Sequence, residues 1–137
     1  MAYIIADNII SPLGETSEEN YLSVKAGRSG IRAYEPGTCN IPEGFYASLL
    51  FEDFETLALR SAQKAIANAQ LELKGKRIAF ILSSTKGNIE ENISLADSAQ
   101  RIASQLGIDS QPIVVCNACI SGLSALILGN RLIESEL

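Results

Sequence analysis

Residues 112–133, PIVVCNACISGLSALILGNRLI, decide the fold that the sequence predicts for this chain. The run from Pro112 to Cys116 is short and apolar without alternation, which is typical of a strand covered on both faces in a parallel sheet. From Cys119 to about Ile133 the segment is apolar on nearly every side, which predicts a helix buried all round. The stretch therefore predicts a strand, a tight turn and a buried helix, with Cys119 at the start of that helix.

Strands and helices of the same kind alternate upstream. The apolar run at residues 77–83 predicts a second buried strand, and residues 3–6 predict a short first strand. Apolar side chains at helical spacing predict helices over about residues 54–71 and 89–106. We therefore expect an α/β fold with a mainly parallel sheet and flanking helices, formed by residues 1–137 as one unit.

The N-terminal third of the chain has weaker signals. Thr16 lies three residues before Glu19, the spacing of a capping box, which predicts the start of a helix. Gly27 predicts the end of that helix about one residue earlier. Residues 30–51 are rich in glycine and proline and lack a helical period, so we predict irregular structure there, with one strand near residues 45–50.

Composition narrows the classes of function. The 137 residues include 11 Lys and Arg and 16 Asp and Glu, so the net charge is −5. Because the chain is acidic and has no dense basic cluster, we expect no nucleic-acid partner. No apolar stretch approaches the roughly 20 residues of a membrane span, and the first residues lack the positive charge of a signal peptide. We therefore expect a cytoplasmic protein that does not enter a membrane.

Histidine is absent and cysteine occurs three times. An odd cysteine count without a secretory signal indicates free thiols rather than a disulfide framework. The lack of histidine removes the commonest general base and metal ligand, and a single Cys pair cannot supply four zinc ligands. We expect neither a metal nor a bound cofactor.

Cys119 is the candidate nucleophile. A thiol in the first turn of a helix meets unpaired backbone N–H groups and the positive end of the helix dipole, and both favour the thiolate. The preceding strand would present the sulfur at the carboxyl edge of the sheet, where open α/β sheets bind ligands. The N–H of Cys119 could also donate to the oxyanion of a tetrahedral intermediate, so attack on a thioester fits this position.

Several segments together resemble one family. Residues 117–122, NACISG, resemble the nucleophile motif of the β-ketoacyl-acyl carrier protein synthases, which have the thiolase-like fold. Residues 9–14, IISPLG, and 26–31, AGRSGI, are similar to the segments that follow the first strand and the first helix of that family. Residues 77–87 resemble a strand and loop near its active site, although STKG at 84–87 departs from the usual glycine-rich form.

The resemblance implies a Claisen condensation in fatty acid or polyketide biosynthesis. Cys119 would take an acyl group from the phosphopantetheine of an acyl carrier protein, and a malonyl thioester would then decarboxylate and attack it. In the family, two residues of the C-terminal half, usually both His, promote decarboxylation, and that half also supplies the second oxyanion donor. We therefore expect the chain to be the N-terminal half without its last strand, to be acylated but not to condense alone, and to pair with a second copy or with a C-terminal half.

Alternatives remain open for the same residues. Cys116 and Cys119 have the Cys-x-x-Cys spacing of a thiol-disulfide redox module, and Cys119 could instead be a buried structural cysteine. The chain could also be a non-catalytic interaction module. A further set of residues is expected to have no chemical role and to lie in loops or on solvated surface: Cys39, Lys86, Gly87, Glu90, Glu91, Glu134 and Glu136.

Overall fold

Four α-helices and two two-stranded sheets occur in residues 2–135, the part of the chain that the computed structural model describes. The α/β class predicted from the sequence is therefore confirmed. Contacts between residues divide the chain into a larger unit, Met1–Ala6 with Asp53–Leu137, and a smaller unit, Asp7–Glu52. A single incomplete domain over residues 1–137 stays a prediction.

The helix of the smaller unit begins and ends where its capping residues predict. Helix α1 covers Ser17–Lys25, and the N-cap Thr16 hydroxyl accepts a hydrogen bond from the Glu19 N–H at 3.1 Å. The Glu19 carboxylate accepts from the N–H of Glu15 at 2.7 Å, one residue before the N-cap. Gly27 has a left-handed φ of 72°, which ends the helix without strain because glycine has no Cβ.

Two short strands form the sheet of the smaller unit. Strand β1, Arg32–Tyr34, pairs antiparallel with strand β2, Phe45–Ala47. The strand predicted near residues 45–50 is confirmed as β2, and β1 is an addition to the predicted elements. The rings of Tyr34 and Phe45, which are partners in the register, stack with 5.4 Å between their centroids, so cross-strand aromatic packing stabilises the pair.

The larger unit contains the parallel pair that the sequence predicts. Strand β3, Ile81–Ser83, and strand β4, Ile113–Val115, run parallel with Ile81 opposite Ile113. Both strands are shorter than the apolar runs that contain them, and β4 is half-buried rather than buried. One helix connects the two strands, as parallel pairing requires.

Helices α2, Phe54–Asn68, and α3, Leu95–Gln105, pack together, and α3 also packs on the β3–β4 pair. The core of the larger unit lies at this junction, where Leu82 of β3 meets Ala99 and Ile102 of α3. Both α3 residues are fully buried. The helix predicted over about 54–71 is confirmed.

Helix α3 begins later than its apolar pattern predicts. The Ser94 hydroxyl accepts from the Asp97 N–H at 3.1 Å and so caps the helix start. Just before it, Asn92 has a left-handed φ of 52°, and a helix cannot run through that conformation. The apolar stripe from residue 89 is therefore helical only from Leu95 onward.

The strand predicted at residues 3–6 is wrong. Residues 2–10 form no helix or strand, and the side chains of Tyr3, Ile4 and Ile5 are exposed. A strand requires hydrogen bonds to a neighbour, and within residues 2–135 β3 pairs with β4 alone. An apolar sequence therefore does not produce a strand here, because the segment has no paired partner.

The last helix is less buried than its sequence predicts. Helix α4 covers Ser121–Glu134 and contacts β3 and β4 through one face. Its other side exposes four apolar residues: Leu123, Leu126, Ile127 and Ile133. The prediction of a helix buried all round is wrong, because no described element covers that side. Glu136 lies outside the described residues.

Across residues 2–135, no helix is both long enough and apolar enough to cross a membrane.

Candidate functional site

Cys119 lies in a short turn that leaves the carboxyl end of β4. Residues Ala118–Ile120 form one turn of 3-10 helix, and α4 begins at Ser121. The sequence predicts Cys119 in the first turn of the α-helix, and the structure places it one 3-10 turn earlier, because the Ile120 N–H bonds to the Asn117 carbonyl at 3.1 Å. We call residues 117–121 the Cys119 turn.

The thiol of Cys119 is free and exposed. A buried structural cysteine is therefore not what the structure shows. Cys116, the first residue after β4, is also free and exposed. Two residues, Asn117 and Ala118, separate the two cysteines, and the second of them is the first residue of the 3-10 turn.

Ser121 holds the backbone of the Cys119 turn. Its hydroxyl accepts a hydrogen bond from the Asn117 N–H at 2.8 Å and donates one to the Ala118 carbonyl at 2.7 Å. Ser121 is only 5% exposed, whereas its partners Asn117 and Ala118 are exposed, so the two bonds are partly buried. The sequence indicates Ser121 only as a member of the motif at residues 117–122, whereas these contacts make it the residue that fixes the backbone before Cys119.

The backbone at Ala118 is strained. Its φ of 46° is left-handed, a conformation that costs a residue with a Cβ about 1–2 kcal/mol. Such strain persists only where surrounding contacts impose it, and it is found most often at functional sites. Here the Ser121 hydroxyl binds the Ala118 carbonyl, so the residue directly before Cys119 is held by a specific contact.

The N–H of Cys119 is available to a ligand. Within residues 2–135 no acceptor satisfies the N–H of Cys119, whereas the next N–H, that of Ile120, donates inside the turn. A thiol and an unengaged amide of the same residue are two of the groups that nucleophilic attack on a carbonyl uses.

A second loop lies beside Cys116. The Ser84 N–H donates to the Val115 carbonyl at 3.3 Å, and the Cys116 Sγ lies 3.9 Å from the Thr85 carbonyl oxygen. The loops that follow β3 and β4 therefore meet at one edge of the sheet, as parallel strands require. Glycine is favoured at position 87 because its φ of 69° is left-handed, and a Cβ there would also lie 2.5 Å from the end of the Leu95 side chain.

An apolar cavity of about 560 Å³ runs beside α4. From the helix, Gly122, Leu126 and Gly129 line it, and β3 contributes Ile81 and Ser83. A Cβ built at Gly122 would meet nothing within 4 Å, so the space next to the first turn of α4 is open. The cavity contains room for an apolar group near the Cys119 turn, although Cys119 itself is not one of its lining residues.

The remaining candidate residues are not part of the Cys119 turn. Cys39 is exposed in the smaller unit, within the 3-10 turn Thr38–Asn40. Arg101 lies 3.8 Å from Glu91 and 3.5 Å from Glu55, so the acidic residue at 91 has a structural ion pair. In the part of the chain that is described, no cluster of three or more His, Cys, Asp or Glu side chains could hold a metal ion.

Comparison of the chain with models of protein families, with curated proteins and with solved structures finds no match.

Proposed function

We propose that the chain is the nucleophile-bearing, N-terminal part of a β-ketoacyl-acyl carrier protein synthase, with Cys119 as the residue that accepts the acyl group. The observation that supports this most directly is the Cys119 turn itself. An exposed thiol follows the strained Ala118, and the buried Ser121 fixes the backbone before it. A structural cysteine needs none of these features.

The acylation step uses groups of this turn. The Cys119 sulfur attacks the carbonyl carbon of an acyl thioester and forms a new C–S bond, while the C–S bond to phosphopantetheine breaks. The phosphopantetheine thiolate leaves and takes up the proton that Cys119 lost. In the tetrahedral intermediate the oxygen carries negative charge, and the unengaged N–H of Cys119 is one donor for it.

Condensation requires further groups. Decarboxylation of a malonyl thioester is promoted in the resembled family by residues that are usually histidines, and none of the 137 residues is histidine. The proposal therefore limits this chain to the acylation half of the reaction. The partners of the chain would be an acyl carrier protein and either a second copy of the chain or a C-terminal half.

The order of elements supports a thiolase-like fold. Strand β3, helix α3, strand β4 and helix α4 follow one another, and the two strands are parallel neighbours. The exposed apolar side of α4 supports an additional partner, because contiguous apolar surface on a protein commonly marks an interaction site. The open space at Gly122 supports entry of an acyl chain near the nucleophile.

Acyl transfer tests the proposal. The reduced protein is mixed with a medium-chain acyl thioester of an acyl carrier protein, digested, and analysed by mass spectrometry. We expect one acyl group, labile to hydroxylamine, on the tryptic peptide 102–131, and none in Cys119→Ser. Cys116→Ser is the matched control, because it removes the other thiol of the same peptide and should still be acylated.

Two results would count against the assignment. One is an acyl group, or an adduct of iodoacetamide or cerulenin, that maps to Cys116 or Cys39 instead of Cys119. The other is a wild-type chain that takes up no acyl group but catalyses repeated reduction of a disulfide substrate by dithiothreitol, which would identify the redox module.

A further inference from the structure

We propose that Cys116 and Cys119 form a reversible disulfide that removes the nucleophile under oxidising conditions. The regulatory part of this inference depends on the proposed acylation of Cys119; formation of the disulfide does not. The proposed disulfide joins Cys116 and Cys119 of the same chain and requires no disulfide exchange with a substrate. It also gives Cys116, which acylation does not use, a chemical role.

Both thiols are accessible and neither is tied to a strong partner. Each is free and exposed, so an oxidant in solution can reach either sulfur. The contact of the Cys116 Sγ with the Thr85 carbonyl is 3.9 Å long, and thiols are weak donors. Little interaction energy is therefore lost when the Cys116 side chain turns toward Cys119.

The chain between the thiols is short enough for ring closure. Cα atoms three residues apart are separated by at most roughly 10 Å, and a disulfide requires about 4.4–6.8 Å. Only Asn117 and Ala118 lie between the two cysteines, so the backbone angles of these residues set the distance. The separation of the two sulfurs therefore depends on rotation at this joint and in the two cysteine side chains.

The same joint stores strain that its rearrangement can release. Ala118 has a left-handed φ in the thiol form, and a return to an ordinary backbone conformation would release the strain energy of that residue. Ser121 opposes this change, because its hydroxyl binds both the Asn117 N–H and the Ala118 carbonyl. Those two hydrogen bonds therefore favour the reduced, acylation-competent turn, and their loss should speed disulfide formation.

Hydrogen peroxide is a sufficient oxidant. One thiol attacks a peroxide oxygen, the O–O bond breaks, and a sulfenic acid and one water form. The second thiol then attacks the sulfenic sulfur, an S–S bond forms, and a second water leaves. Two S–H bonds and one O–O bond are exchanged for one S–S bond and two O–H bonds. A dithiol such as dithiothreitol reverses the product by exchange.

The test uses a Cys39→Ser background, so that the third thiol cannot form a competing bond. The protein is treated with increasing hydrogen peroxide, alkylated with iodoacetamide, digested with trypsin and analysed without reductant. We expect peptide 102–131, which contains both cysteines, to lose two hydrogens and take up no iodoacetamide. Dithiothreitol should restore two alkylation sites and acylation together.

Two variants sharpen the result. In Cys116→Ser, peroxide should instead drive Cys119 to sulfinic acid, so acylation is lost and dithiothreitol does not restore it. In Ser121→Ala, the intramolecular disulfide should form several-fold faster than in the parent. Ser104→Ala, an exposed change on α3, is the matched control and should leave the rate unchanged.

Some outcomes overturn the inference. Peroxide-treated parent protein with sulfinic acid at Cys119 and an unmodified Cys116 would overturn it, as would disulfide-linked dimers in place of the internal bond. If the disulfide forms but the reduced protein accepts no acyl group, the proposed function and the regulatory role fail while the disulfide stands. If acylation occurs and no disulfide forms, only the inference of this subsection fails.

Discussion

The Ser121 hydroxyl accepts a hydrogen bond from the N–H of Asn117, four residues earlier, at 2.8 Å. Because the same oxygen also donates to the Ala118 carbonyl at 2.7 Å, one side chain fixes both residues that precede Cys119. Ser121 therefore holds the backbone directly before Cys119, the proposed nucleophile. Its contribution can be separated from that of the thiol by mutation.

Ser121→Ala should slow acylation without removing the nucleophile. Loss of the two hydrogen bonds costs about 1–2 kcal/mol, and a turn whose acylation-competent conformation is destabilised by this amount is competent about 5–30 times less often. We expect acylation at Cys119 to slow by that order and the urea midpoint of unfolding to fall. Ser121→Thr keeps the hydroxyl and should recover most of the rate. Equal acylation rates in wild type and Ser121→Ala would show that acylation does not depend on the hydrogen bonds of the Ser121 hydroxyl.

Substitution of Ala118 tests the backbone strain. Ala118→Gly should stabilise the chain by up to about 1 kcal/mol, because glycine adopts a left-handed φ without a steric cost. Ala118→Val should destabilise it, because a β-branched side chain disfavours that conformation further. Urea unfolding of the two variants measures both effects. A stability of Ala118→Val equal to that of wild type would contradict the left-handed conformation.

Local signals allowed part of the fold to be predicted. Thr16, Glu19 and Gly27 give the limits of α1, because capping depends on side chains within a few residues. The 54–71 helix and the parallel β3–β4 pair follow from periodicity and from unbroken apolar runs. From these elements the position of Cys119 after β4 could be predicted as well.

Other features depend on neighbours that a local pattern does not contain. Residues 3–6 have the composition of a strand, but strand formation depends on a partner for their hydrogen bonds. Helix α4 is apolar on all sides, yet its burial depends on the elements packed around it. The hydrogen bonds of the Ser121 hydroxyl and the left-handed φ of Ala118 arise only when the turn folds. The spacing of residues in the sequence therefore does not indicate them.

The N-cap of α2 gives a prediction for pH dependence. Hydrogen bonds from the Thr56 side chain and N–H hold the pKa of Asp53 below its ordinary value of 3.8. A carboxyl whose folded pKa is lowered contributes stability above the unfolded value, and that contribution is lost as pH falls through the folded pKa. We therefore expect the free energy of unfolding to fall as the pH drops below about 4.

Asp53→Asn provides the matched control for this pH effect. Asparagine also caps helices well, so its stability near neutral pH should differ little from wild type, whereas Asp53→Ala should cost about 1 kcal/mol. In Asp53→Asn, the free energy of unfolding should fall less on acidification than in wild type, because the contribution of the Asp53 carboxylate is absent. Urea unfolding at pH 7 and pH 3 compares the three proteins, and parallel losses in wild type and Asp53→Asn would contradict the role of Asp53.

The exposed apolar side of α4 should cause self-association. Leu126, on this side, is 61% exposed, and burial of such side chains against a partner is favourable. We expect the wild-type chain to sediment as oligomers or to bind a hydrophobic dye, and Leu126→Glu to reduce both. Tyr46→Glu, a change at a residue of β2 in the smaller unit that is 79% exposed, is the control and should leave both unchanged. A wild-type chain that stays monomeric and dye-silent would contradict this role for α4, because the helix would then tolerate its apolar side in water.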